Sequence, residues 1–468
     1  MKNNEIQIID PIISKITKPL IPLISACLEY DNVYYKQDYS NSWVDAKGKK
    51  QFKKVKEEYR ACMVDRRSGS VLTGFIPRLL AFAERKKIDV EVTSDIPYLE
   101  PECKPHIKGI TFREDQIRQI EAATKAQRGV IKAATGTGKS YLMMGFLSQY
   151  KKLNTLILCH NLDILEQTKE HFDNFGFKNV QIIHGKSKDK IGKGINLCSI
   201  QTFSKFKPLV YADFFDIVIC DETHSINSLT SLYGKAFQSL LCPIRLGFTA
   251  TLPEGAVKLL ALEGLIGPTI SEVTIQEGVE KKMLAEPYIT LIPVKLDPNL
   301  IEIKGYQNVY KNCITLNKSR NRSIIKKVIE NIKKGKTTLV LIKEIEHGIE
   351  LMKIAKKFNK YSDKILFLQG SSESSDRMEA KKNLNNKDIH CVIATAIWYM
   401  GVSISTVSCV VNAAGGKSEI QVLQIAGRSL RTAEGKTEVE ICDFLDPYRY
   451  LAEHSIRRIG IYVESGWL

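Results

Sequence analysis

The sequence predicts an α/β protein, with two parallel-sheet domains in tandem behind a small N-terminal α+β domain. Three observations carry that prediction. From residue 129 onward, short β-branched and apolar runs alternate with helical patterns, the signature of strand–helix–strand units and hence of parallel sheets. These runs form two series, at 129–133, 155–159, 180–183, 195–199, 217–220 and 244–248, then at 337–342, 365–368, 391–394, 409–412 and 439–441. A faint echo links the series: 150–159 and 332–342 both run from a basic helix end into an apolar strand, as two copies of one unit would.

The first hundred residues read differently. Tyr30, Tyr34, Tyr35, Tyr39 and Trp43 precede the basic run 47–56, K-G-K-K-Q-F-K-K-V-K, and Pro77 marks a helix start, since proline suits the first helical turn. A second boundary is expected near 283–286, where Pro287 begins an extended segment. The expected domains are therefore 1–105, 106–284 and 285–468. A chain of 468 residues is long enough for that division.

Composition narrows the function classes. Lys and Arg outnumber Asp and Glu by 68 to 52, a net charge of +16 that favours a polyanionic partner such as nucleic acid. The eleven cysteines form no C-x-x-C pair and no zinc-spaced cluster, so they are expected to be buried small apolar side chains in a reducing compartment. The apolar stretch 12–28 is broken by Lys15, Lys18, Pro19 and Pro22, and no run reaches membrane-spanning length. A cytoplasmic, monomeric protein without a membrane partner is expected.

Chemistry concentrates in two segments. Residues 132–140, K-A-A-T-G-T-G-K-S, lie between an expected strand and an apolar helix and match the phosphate-binding loop G-x-x-x-x-G-K-[ST], with Ala133 at the first glycine position. The N–H groups of Thr135, Gly136, Thr137 and Gly138 suit phosphate, Lys139 reaches the terminal phosphates and Ser140 offers a hydroxyl to magnesium. Residues 217–225, I-V-I-C-D-E-T-H-S, end an apolar strand in two carboxylates, a hydroxyl and an imidazole. Burying adjacent carboxylates is costly unless a cation compensates. Asp221 is accordingly the expected Mg²⁺ residue and Glu222 the base that activates water.

With these motifs in place, the chain resembles the superfamily 2 helicases and translocases, of whose D-E-x-H box D-E-T-H is a variant. The resemblance implies two RecA-like domains, ATP and Mg²⁺ as cofactors, and further roles in order. Phe112, Arg113 and Gln116 resemble the adenine-reading motif. Residues 159–167 and 199–203 stand where the family follows a nucleic-acid strand, which implicates His160, Gln201 and Thr202. F-T-A-T-L-P at 248–253 is similar to the coupling motif, implicating Thr249 and Thr251 with His224. I-A-T-A at 393–396 with Gly401 resembles motif V and adds Thr395 to the strand contacts. Q-I-A-G-R-S-L-R at 424–431 matches Q-x-x-G-R-x-x-R, implicating Gln424, with Arg431 and Arg428 as arginine fingers that reach phosphate across a cleft. The family usually has Pro at the place of His160 and Asp at that of Ser403.

Segments 71–80, 88–92, 262–268 and 317–325 resemble the phage UvsW-type helicases, whose wider relatives are the RecG and XPB types. That resemblance implies a DNA helicase acting on branched or forked DNA, or on duplex with a single-stranded region, in recombination, replication or repair, located in the host cytoplasm if phage-encoded. The N-terminal domain would then grip DNA through Lys49, Lys50, Lys53 and Lys54, which neutralise phosphates without reading sequence. Recombination or replication proteins are possible further partners. An RNA helicase and a nucleotide-gated clamp that binds without translocating remain open alternatives.

Overall fold

The computed structural model describes residues 4–44, 50–185, 187, 189–369, 374–395, 406–417, 427, 429–432 and 436–468. The chain divides into two compact units, Met1–Lys132 with Ser140–Glu272 and Ala133–Lys139 with Val273–Leu468. Each is α/β, built on the parallel sheets that the strand series predicts.

The first unit begins with strands β1 (Glu5–Ile8), β2 (Ile13–Ile16), β3 (Glu29–Val44), β4 (Lys50–Cys62), β5 (Ser70–Leu72) and β6 (Glu91–Ser94). Four of them form a mixed sheet in the order β5-β2-β1-β6, while β3 and β4 pair antiparallel as a two-stranded sheet of their own. The helix Ile76–Arg85, with Pro77 in its first turn, closes a core of Ile6, Ile16, Leu20, Ile24, Leu28, Phe75 and Leu79.

Seven strands follow in this unit's larger sheet: β7 (Arg128–Ala133), β8 (Thr155–Cys159), β9 (Val180–Ile183), β10 (Ile195–Ser199), β11 (Ile217–Asp221), β12 (Ile244–Thr249) and β13 (Thr269–Val273). Their order is β13-β7-β12-β11-β8-β10-β9, and every pair from β7 to β9 is parallel. The strands β8, β11 and β12 are buried at every residue, as a sheet covered on both faces requires. Because β11 and β12 stand between β7 and β8, the chain reverses direction across the sheet there, and ligands in such sheets bind at the carboxyl ends of the strands.

The N-terminal sheet is fixed to this layer by close backbone approach. A Cβ on Gly74 would lie 2.0 Å from the Glu263 carbonyl oxygen, and one on Gly264 would meet Leu72 at 2.7 Å. Beside that contact the Arg78 guanidinium donates to the Glu263 carboxylate at 2.8 and 2.6 Å. Arg245, 1% exposed, donates to the carbonyls of Pro11, Leu240 and Phe237. Burial lowers its pKa to about 10.

The second unit holds β14 (Glu286–Pro293), β15 (Thr338–Ile342), β16 (Ile365–Leu368), β17 (Cys391–Thr395), β18 (Cys409–Asn412) and β19 (Glu438–Leu445), all parallel, in the order β14-β19-β18-β15-β17-β16. Its core encloses two ion pairs, Arg320 with Asp446 at 2.8 Å and Arg458 with Asp443 at 2.7 Å. Their remaining donors are used as well: Arg320 and Arg458 reach the carbonyls of Ala413 and Gly416, and the Tyr310 hydroxyl that of Ala414. Three buried donors thus hold the turn after β18, which satisfies charges that would otherwise be costly to bury. Eight of the eleven cysteines are buried, in keeping with their expected packing role. Among the described residues no helix is long and apolar enough to cross a membrane.

His347 is fully buried in the second unit, and its Nε2 lies 2.8 Å from Asn321 Oδ1, so that nitrogen carries the hydrogen and donates it. Burial, with the Arg320 charge second, depresses its pKa from 6.5 to about 3. The folded state therefore excludes a proton that the unfolded chain accepts, and this group's contribution to stability is present above pH 6.5 and is lost as pH falls towards 3. Lowering the pH from 7.5 to 5 is expected to cost about 2 kcal/mol through this residue alone. Urea denaturation at the two pH values checks this: His347→Gln should shrink the acid-induced loss by about that amount, and an unchanged loss would show that His347 does not hold its proton off.

Candidate active site

The parallel register aligns the ends of three adjacent strands. Asp221 pairs with Phe248 across β11 and β12, and Thr249 pairs with Lys132 across β12 and β7, so Asp221, Thr249 and the chain leaving β7 share one sheet edge. Asp221 is the last residue of its strand, and Glu222 turns the chain in the left-handed region at φ 59°. A non-glycine residue there is strained and persists only when its surroundings hold it. The Glu222 N–H donates to the Phe248 carbonyl at 2.8 Å, which ties the turn to β12. Both carboxylates are only 7% exposed. Burial, followed by the nearby Asp221 charge, pushes the Cys159 thiol above its usual range, consistent with an acidic pocket at this edge.

His224 lies in the short turn Thr223–Ser225 that follows. Its Nδ1 is 3.4 Å from Thr249 Oγ1 and 3.3 Å from Glu222 Oε2. The Thr249 hydroxyl spends its one hydrogen on the Thr251 carbonyl, at 2.6 Å, so towards His224 it can only accept. The hydrogen therefore sits on Nδ1 and is donated to Thr249, with the Glu222 carboxylate close by. The expected coupling residues His224, Thr249 and Thr251 and the expected base Glu222 form one connected group.

On the nucleotide side, Phe112 packs against the helix Lys139–Leu147: a Cβ on Gly145 would approach its ring to 2.7 Å. Gln116 is buried, and its Oε1 accepts the Arg113 N–H at 3.2 Å, while the Arg113 guanidinium grips Asp115 at 2.9 and 3.0 Å. In the phosphate loop Gly136 and Gly138 have φ of 94° and 101°, which glycine alone adopts freely. Ala133 closes β7 and is not among the positive-φ residues, so the missing first glycine is accommodated by strand geometry. The Thr137 hydroxyl donates to the Ala134 carbonyl at 2.7 Å and closes the loop on itself. Residues 133–139 cluster with the second unit, where Ala134 packs with Leu284, Leu430 and Val439. A Cβ on Gly136 would lie 2.9 Å from Leu284 Cδ2 and 3.1 Å from Arg431 Cγ. Lys436 donates to the carbonyls of Ser429 and Arg431 and fixes the end of the arginine motif.

The strand-side residues separate. Gln201 is exposed and donates to the His160 carbonyl at 3.3 Å, and Thr202 Oγ1 accepts from Ser199 at 2.8 Å. Thr395 ends β17 in the second unit, and its buried hydroxyl has no hydrogen-bond partner among the described residues. The backbones of Lys50, Lys53 and Lys54 lie on β4. Gln424, Arg428, Lys49, Gly401 and Ser403 lie outside the described residues. Lys18, Arg66 and Arg67, which no motif marks as functional, line with Glu29 a cleft of about 720 Å³ where β3 begins. Glu29 accepts from Arg60 at 2.9 Å and Arg66 at 2.6 Å, so the one acid of that cleft is neutralised. Their spacing forms no run, and only the fold gathers them.

The family description "Type III restriction enzyme, res subunit" matches residues 109–254, and "Helicase conserved C-terminal domain" matches 320–433. The chain is 26% identical over 375 residues to the ATP-dependent DNA helicase uvsW of Enterobacteria phage T4, with 72% of each covered. It is 24% identical over 383 residues to the DNA 3′-5′ translocase XPB2 of Sulfurisphaera tokodaii, covering 74% of this chain and 84% of that one. A fragment of a putative HsdR subunit of a type I restriction enzyme from Vibrio vulnificus superposes with a TM-score of 0.56 at 16% identity, covering 89% of this chain and 88% of the other, a likeness of fold alone.

Two substitutions test the site. Glu222→Gln keeps the side chain's shape and removes its charge, and phosphate release is expected to fall by about 10² to 10⁴ while ATP still binds. Gly136→Ala places a methyl group against Leu284 in a left-handed conformation, and is expected to weaken ATP binding at least about tenfold and to lower stability by about 1–3 kcal/mol. Nucleotide titration and thermal unfolding read both effects.

Proposed function

Because the chain belongs to superfamily 2 of the helicases and is an ATP-dependent helicase, we propose that its substrate is branched DNA, which it remodels by branch migration, fork or junction processing and duplex unwinding. The observation that best supports this reading is the arm formed by β3 and β4, of 16 and 13 residues, paired from Glu29↔Cys62 to Val44↔Lys50. At about 3.3 Å per residue it extends roughly 40 Å. Its sequence supplies Lys50, Lys53, Lys54, Lys56 and Arg60, and its base adjoins the cleft lined by Lys18, Arg66 and Arg67. Such an arm suits the phosphates of a duplex or junction, which are held by charge rather than by base identity. The likeness to a phage DNA helicase over 72% of the chain supports DNA over RNA. In this reading 1–105 loads the substrate, and 106–284 and 285–468 form the motor.

The residues present fit ATP and a divalent cation. The two positive-φ glycines open the backbone of 135–138 to phosphate, and a buried carboxylate at a strand end is an oxygen donor suited to Mg²⁺. Lys139 with the loop N–H groups would hold the phosphates, Ser140 and Asp221 the metal, and Phe112, Arg113 and Gln116 the base. When bound, the ion neutralises charge on the phosphate oxygens. Glu222, whose backbone N–H is tied to the Phe248 carbonyl and whose carboxylate lies 3.3 Å from His224 Nδ1, takes the proton of the attacking water. The helicase motif gives Arg431, Arg428 and Gln424 the role of stabilising the transferred phosphoryl group, and an arginine finger of this kind contributes about 10³ to 10⁵ in rate. The group of His224, Thr249 and Thr251 relays the nucleotide state, and His160, Gln201, Thr202 and Thr395 contact the strand.

The decisive experiment compares ATP-dependent conversion of a four-way DNA junction with homologous arms, a tailed linear duplex and a matched RNA duplex. Preferential conversion of the junction is the expected result. Opening of the tailed duplex or the RNA alone would overturn the branched-DNA assignment, and tight ATP-dependent binding without displacement would point to a clamp. Replacing Lys50, Lys53, Lys54 and Lys56 together by Gln is expected to weaken junction binding at least about tenfold near 100 mM salt and to flatten its salt dependence.

A further inference from the structure

We propose that His160 and Ser225 form a positioning link through which an engaged strand accelerates ATP hydrolysis. The link rests on the strand-contact reading above, and its geometry lies within the first unit. His160 follows β8 and precedes Asn161, whose side chain accepts the Asp163 N–H at 2.8 Å and caps the helix Leu162–Asn174. On one side, the His160 carbonyl accepts from the exposed side chain of Gln201 at 3.3 Å. On the other, its ring Nδ1 lies 3.3 Å from Ser225 Oγ. Ser225 closes the turn that carries the base, its N–H donating to the Glu222 carbonyl at 3.0 Å.

One residue therefore joins the surface expected to meet the strand to the strained turn expected to activate water. A strand phosphate drawing on the Gln201 amide competes with the His160 carbonyl for the same donor, and any shift of residue 160 moves the ring against Ser225. The left-handed backbone of Glu222 makes this turn sensitive: its φ of 59° is maintained by hydrogen bonds rather than by intrinsic preference, so a small displacement at Ser225 alters the carboxylate's aim. The His224 ring, 6.4 Å away and edge-on to that of His160, limits the directions in which the link can move. Ser225 has no other part in the proposed chemistry, which makes its hydroxyl the place to break the link.

The test uses the full chain and steady-state ATP hydrolysis with and without a single-stranded oligothymidine or oligouridine. Ser225→Ala is expected to lower the fold-stimulation by DNA about fivefold, the weight of one neutral hydrogen bond. The oligonucleotide concentration for half-maximal stimulation and the KM for ATP should each change less than about twofold, and Ser225→Thr should restore stimulation. In a His160→Ala background, Ser225→Ala should add nothing, because the link is already broken. Unchanged stimulation, additive losses, or an equal fall of basal and stimulated rates would overturn the link; the last marks simple damage to the turn. If wild type responds to oligouridine alone, the DNA reading fails and the same Ser225 comparison decides the link on RNA; response to neither polymer overturns both.

Discussion

The parallel register of β7, β12 and β11 is the constraint on which the candidate site depends. Pairing of Asp221 with Phe248 and of Thr249 with Lys132 makes three strands end together. Strands buried on both faces admit little slippage, because a one-residue shift would put every side chain into packing shaped for another. The apolar strand interiors thus set the position of polar residues just beyond them. The core places the carboxylates, and the turn at Glu222 aims them.

Around that edge, several buried polar groups belong to short chains of hydrogen bonds with assigned directions. Thr249 donates to Thr251, His224 faces Thr249 and Glu222, and the Glu222 backbone is tied to Phe248. In the second unit, Arg320, Arg458 and Tyr310 do the same for the turn 413–416. Ionic groups so deep would destabilise the fold if either partner were missing, so they specify one arrangement of the loops they hold. These networks serve the loops at strand ends.

The N-terminal region enters the architecture by another route. Gly74 and Gly264 allow two backbones to touch, and Arg78 and Arg245 then bridge to Glu263 and to Pro11. These contacts fix the N-terminal sheet to the sheet that carries Asp221.

The sequence by itself determined the two strand series, the phosphate loop, the carboxylate pair and the helix beginning at Pro77, because periodicity and motif spacing are local properties of the chain. Ten of the eleven expected strands needed no more than their own side chains to declare themselves; the last, 439–441, is the middle of a longer β19. Tertiary structure alone decided the rest. It placed β13 at an edge where a short, partly exposed run gives little apolar signal. It turned Glu222 into the left-handed region, joined His160 to Ser225 across 65 residues, and gathered Lys18, Arg66 and Arg67 around one cleft. Those are relations between residues far apart in sequence, each fixed by how buried surfaces pack, and a one-dimensional pattern does not encode the distance between its parts.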